Sequence, residues 1–250
     1  MLPEESPLVE DVTVAPAPEP YPFWGWMDMG IAVGLLVGLF VVILFAAGGL
    51  MYYVPWLKTN QAPLMLIVQL VAYLAVYAAL WAIFHFGYNR PVFASLAWRR
   101  TVSNRTLAYI GLCGVLLSPA VSLLASVFHT PEVQIAGLDE LQKYPVILAL
   151  FGVMAVTAAP VFEELLFRGF LQPVFIRTFG AIAGILITSS LFGLLHIFEY
   201  QGLWQYAAAV TLVGAILGTV RYRTNSLIPS TLMHACYNSV AAVGIFFHHK

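Results

Sequence analysis

Charge is scarce in this chain: only 9% of its 250 residues are Asp, Glu, Lys or Arg, against roughly 25% in a typical soluble domain. So few charges cannot coat a soluble globule of this size, which makes lipid the solvent for most of the surface. A basic surplus is also missing. The formal net charge is −1, which argues against a nucleic-acid partner. Cysteine is limited to Cys113 and Cys236, both inside apolar runs and read as small buried hydrophobes rather than a disulfide. Met1–Asp28 contains no Lys or Arg but six acids (Glu4, Glu5, Glu10, Asp11, Glu19 and Asp28), so it lacks the positive start of a cleavable signal. No internal repeat is visible, which weighs against a transporter built from repeated halves.

Apolar residues, by contrast, make up 61% of the chain. A bilayer core of about 30 Å needs roughly 20 apolar helical residues. Seven segments approach this, at about Gly30–Tyr53, Leu64–Phe86, Leu107–Phe128, Tyr144–Phe170, Ala181–Ile197, Trp204–Val220 and Leu227–Phe247. The expected fold class is all-α, a polytopic transmembrane helix bundle of about seven spans, with six and eight as the neighbouring counts. Three regions follow: a disordered acidic, Pro-rich tail over 1–28, N-terminal transmembrane helices over 29–143, and a helix bundle over 144–247 that carries the chemistry. A cytoplasmic N-terminus puts Arg90, Arg99, Arg100, Arg105, Arg168, Arg177, Arg221 and Arg223 on the cytoplasmic side and leaves Lys58, Lys143 and Lys250 outside, in line with the positive-inside rule. This split favours an odd number of spans.

The first three spans have no ionisable residue near their centres, whereas the later helices do. Such groups cost ~2.5–3.5 kcal/mol on insertion scales and mark functional sites by default. In Val161-Phe162-Glu163-Glu164-Leu165-Leu166-Phe167-Arg168-Gly169, Glu164 and Arg168 are i, i+4 with the acid first, the better order for a helical ion pair. Glu163 lies about 100° round the helix from Glu164. The arrangement that accounts for both acids neutralises Glu164 with Arg168 and turns Glu163 to a wet cavity as a base. Phe192 and His196 share one face of the fifth segment, and His234 and Asn238 share one face of the last. Singly, each element has a plain structural reading: a wet helix end, a backbone-bonded His, or interhelical polar glue. Together they supply carboxylate, imidazole, imidazole and carboxamide, the set needed to activate water and hold an oxyanion.

The ordered motifs Glu163-Glu164…Arg168, Phe192…His196 and His234…Asn238 resemble the CPBP intramembrane proteases, which include the CAAX prenyl endopeptidases and the bacterial bacteriocin-processing and immunity (Abi) proteins. The resemblance covers about Tyr144 to Phe247 and implies an endopeptidase acting on a membrane-associated peptide or protein, prenylated or bacteriocin-like. It further implies that Glu163 and His196 activate water, that Glu164 is fixed by Arg168, that His234 and Asn238 stabilise the oxyanion, and that Phe192 packs the helix presenting His196. No cofactor is favoured. Zinc is the alternative, but the chain lacks His-Glu-x-x-His, the spacing that sets two ligands on one helical face. The competing function is a non-catalytic immunity or partner-binding protein of the same fold. The expected setting is a bacterial plasma membrane, with the active-site cavity opening toward the cytoplasm.

Overall fold

A computed structural model describes residues 20–131 and 137–247, so most of the acidic tail lies outside the described residues. Each of the seven apolar segments is helical, and no strand occurs among the described residues. The helices are α1 (Trp26–Tyr53), α2 (Ala62–Ala82), α3 (Asn104–Val127), α4 (Pro145–Val156), α5 (Ala158–Glu164), α6 (Gln172–Phe179), α7 (Ala181–Leu195), α8 (Trp204–Thr224) and α9 (Leu227–Phe247). Three one-turn helices, Trp56–Thr59, Val92–Ser95 and Leu138–Gln142, sit in the connections. Among the described residues, four stretches are both long and apolar enough to cross a membrane: Trp26–Tyr53, Ala62–Gly87, Asn104–Val127 and Pro145–Phe179. Ala181–Leu195 is a shorter apolar helix. Their outward faces carry large apolar side chains such as Phe40, Phe45, Leu74, Leu116 and Leu123, as expected where lipid replaces water.

Local chemistry explains the ends and breaks. Ser103 caps α3, its hydroxyl accepting from Thr106 N at 3.2 Å, the usual remedy for an orphan N–H. Pro145 begins α4, a position where its missing N–H costs nothing. The fourth segment is not one α-helix. It breaks at Thr157, three residues before Pro160, because proline cannot donate one turn back. Beyond Glu164 it widens into a π-helical stretch, Leu165–Leu171, before resuming as α6. Such widening is rare and frequent at functional sites.

The bundle wraps α5 and its π-helical extension. α7 lies against α8 and α6, α9 packs on α3 and touches α4, α5 and α8, and α1 leans on α2. Of the tail expected over 1–28, residues 20–28 are described. Trp24 is 1% exposed and donates Nε1–H to Phe170 O at 2.9 Å, and Asp28 already belongs to α1. The aromatic run Tyr21-Pro22-Phe23-Trp24 supplies enough apolar area to pack.

α3 and α9 approach closely at Gly114, where an added Cβ would press on Met233 O and Cys236 Cβ. Gly114→Ala is therefore expected to lower stability by about 1–3 kcal/mol, the range for overpacking. Gly38→Ala, with nothing within 4 Å, should be neutral. Thermal unfolding of both variants in detergent measures the difference.

Candidate active site

The π-helical stretch carries Arg168 beneath Glu164 with the motif still paired. Arg168 Nη1 lies 2.9 Å from Glu164 Oε1, and both side chains are 0% exposed. Arg168 also donates Nη2–H to Gly214 O at 3.1 Å and holds its guanidinium over the Phe192 ring, 4.3 Å from the centroid. A carbonyl, a carboxylate and an aromatic face thus surround a cation that has lost all water.

Glu164 reaches further. Its Oε1 lies 3.3 Å from His234 Nδ1, and since a carboxylate only accepts, that nitrogen carries the hydrogen. The ring is then oriented with Nε2 toward the neighbouring acid, 3.7 Å from Glu163 Oε2. Glu163 accepts a hydrogen bond from the Tyr73 hydroxyl at 3.3 Å and keeps 19% of its side chain exposed. The two adjacent acids therefore separate as the 100° offset predicts. One is sealed against Arg168 and the other faces open space.

His196 caps the end of α7. Its Nδ1 lies 2.7 Å from Phe192 O, and a carbonyl can only accept, so Nδ1 carries hydrogen, which in the neutral ring leaves the lone pair on Nε2. Phe192 is the packing hub, in ring contact with Phe167, His196 and His234 at centroid distances of 5.0, 4.5 and 5.9 Å. Asn238 donates Nδ2–H to Ala155 O at 2.8 Å, beside the break in the fourth segment. An amide nitrogen has a second hydrogen to offer.

Glu163, His196, His234 and Asn238 line one cavity of about 620 Å³, within the range of ligand sites. Glu164 and Arg168 stand behind it. All six expected residues are thus brought into one neighbourhood. Two features differ from the sequence expectation. The cavity was expected on the arginine-bearing side of Glu163. Its lining instead comes from Met65, Leu141, Leu148, Glu199 and Ile245, residues near the opposite helix ends, because buried side chains close the arginine side. The N-terminal helices also contribute. Tyr73 and Gln69 of α2 line the cavity, and Tyr73 stacks on Phe162 at 5.6 Å. An intramembrane Tyr looks like any aromatic packing residue, so no sequence signal marked Tyr73. Glu199 was missed despite a signal: it follows His196 by three residues and donates its N–H to His196 O at 3.1 Å.

Among the described residues, no group of three or more His, Cys, Asp or Glu is placed to hold a metal ion. The imidazoles face different partners, Phe192 O for His196 and the two glutamates for His234.

Residues 145–240 match the family described as Type II CAAX prenyl endopeptidase Rce1-like. The matched segment contains all six motif residues. No curated protein and no solved structure matches the chain significantly.

Removing one partner of a buried ion pair strands the other charge and typically costs about 3–5 kcal/mol. Arg168→Met should destabilise the detergent-solubilised protein on that scale. Adding Glu164→Gln, which removes the stranded charge, should recover part of the loss. Equal melting temperatures for the single variant and the parent would sink this account of the pair.

Proposed function

We propose, taking the Rce1-like match at residues 145–240 as the premise, that this chain is a multi-pass intramembrane endopeptidase using a glutamate-activated water. The observation that carries the reading is the relay Arg168–Glu164–His234, which fixes an imidazole against a cavity-facing Glu163.

In this mechanism a water held between Glu163 and the lone pair on His196 Nε2 attacks the scissile carbonyl carbon. Glu163 takes its proton as the new C–O bond forms, and the carbonyl π electrons move to oxygen. His234 and the second Asn238 N–H donate to that oxyanion. Because His234 Nδ1–H is committed to Glu164, donation from Nε2 requires the imidazolium. That cation sits between two carboxylates, so Glu163, Glu164, Arg168 and His234 together sum to zero charge. Collapse breaks the C–N bond, and Glu163 returns its proton to the leaving amine. Tyr73 is a positioning residue that holds the carboxylate in place.

The substrate follows from the walls. Met65, Val68, Leu148, Phe151 and Met154 line the cavity between the polar groups and its far end, a surface suited to apolar side chains or a prenyl chain of a membrane-associated peptide.

Glu163→Gln and His196→Ala are expected to reduce reporter cleavage about 10²–10⁴-fold, the usual contribution of acid–base groups, without loss of fold. Tyr73→Phe keeps the ring on Phe162 and removes one bond to a charged group, worth about 1.5–3 kcal/mol. It should lower kcat roughly tenfold or more while KM holds. Cleavage that vanishes with a strong chelator and returns with zinc would overturn the metal-independent mechanism.

A further inference from the structure

The two ends of the bundle are unlike, and the cavity belongs to only one of them. At one end the arginines are woven together. Arg177 donates to Trp24 O at 2.9 Å, Arg221 to the Tyr21 hydroxyl at 2.8 Å, and Arg90 lies over the Phe23 ring. Arg99 reaches Asn225 O at 3.5 Å, and Thr101 donates to Thr224 O at 2.8 Å, which brings Arg100, Arg105 and Arg223 to the same end. At the other end, Tyr144 bonds Asn60, Tyr206 bonds Pro131 O, and Ala62, Leu141 and Leu148 pack with Ile245. Lys58 and Lys143 are the only Lys or Arg residues there among the described residues. Seven arginines therefore face two lysines, with Arg168 buried between.

From the level of Glu163 and His234 the cavity runs only toward the lysine end. It is lined by the first half of α2, the start of α4, the last residues of α7 and the second half of α9. Toward the arginine end the way is shut: Glu164, Arg168, Gln172, Leu217, Leu227 and Ser230 are all at most 2% exposed. Gln172 also bonds Gly218 O across this plug at 3.0 Å.

Loops rich in Lys and Arg remain in the cytoplasm, and the bias counts most in short loops such as these. We infer that the site takes water and substrate from the non-cytoplasmic face of the membrane. Its substrate is then a peptide segment exposed at, or embedded in, the outer leaflet, and the cytoplasmic end serves as a sealed base. This rests on the protease reading for the word substrate, whereas the orientation and the access route do not depend on it.

The test separates the two. Cys113 and Cys236 are replaced by Ala, and Lys143→Cys, Ala242→Cys and Arg223→Cys are introduced singly. These positions report the open end, the cavity wall and the arginine end. Bacterial cells expressing the full chain are treated with a membrane-impermeant cationic thiol reagent, before and after permeabilisation. The inference expects Lys143→Cys and Ala242→Cys to react in intact cells, and Arg223→Cys only after permeabilisation. The reverse pattern overturns the orientation. Reaction of Lys143→Cys but not Ala242→Cys in intact cells overturns the access route. Neither outcome touches proteolysis, which fails separately if Glu163→Gln still cleaves.

Discussion

The structure turns on one interaction that physics disfavours, a carboxylate and a guanidinium paired with no water on either. Desolvating two charges costs several kcal/mol per ion, and attraction offsets this only where every remaining donor and acceptor is well placed. Here the pair draws in a carbonyl from α8, a ring from α7 and an imidazole from α9. Each of these helices must stand in one register for these contacts to form. The ion pair thus acts as a registration pin for the bundle, and in the same act aims His234 at Glu163.

Glu164 and Arg168 belong to the framework, and the groups facing the cavity depend on them. His234 shows the coupling best. It is 4% exposed, and without Glu164 its ring would lose the bond that orients it. His196 is set differently, by the carbonyl of Phe192 one turn earlier on its own helix. The two imidazoles therefore hold opposite positions in the design, one anchored by charge and the other by backbone.

Much of this was legible because helical periodicity fixes which residues share a face. The separation of Glu163 from Glu164, the Glu164–Arg168 pair and the gathering of Phe192, His196, His234 and Asn238 all follow from spacings of one and four. The seven apolar segments were equally visible, since uninterrupted apolar runs have few alternatives to helix. What escaped was tertiary. Nothing local distinguishes Tyr73 from Tyr77 one turn later, yet only Tyr73 bonds Glu163. The packing of Trp24 depends on a groove made by residues far along the chain. The side on which the cavity lies depends on which polar residues are plugged by neighbours, and that is a property of the assembled bundle.

The site is also larger than the segment that matches the family model. Residues 145–240 contain every motif residue, but Glu163 takes its hydroxyl donor from α2, and α9 is supported along its length by α3. Gly114 lets those two helices touch at Met233 and Cys236, on either side of His234 in the sequence. A bulkier residue there would move the helix that presents both His234 and Asn238. The N-terminal helices therefore do more than fill lipid. One supplies a polar contact to Glu163, and another sets the depth at which His234 and Asn238 stand. Divergence in these helices would retune the geometry of the same six residues without altering a motif.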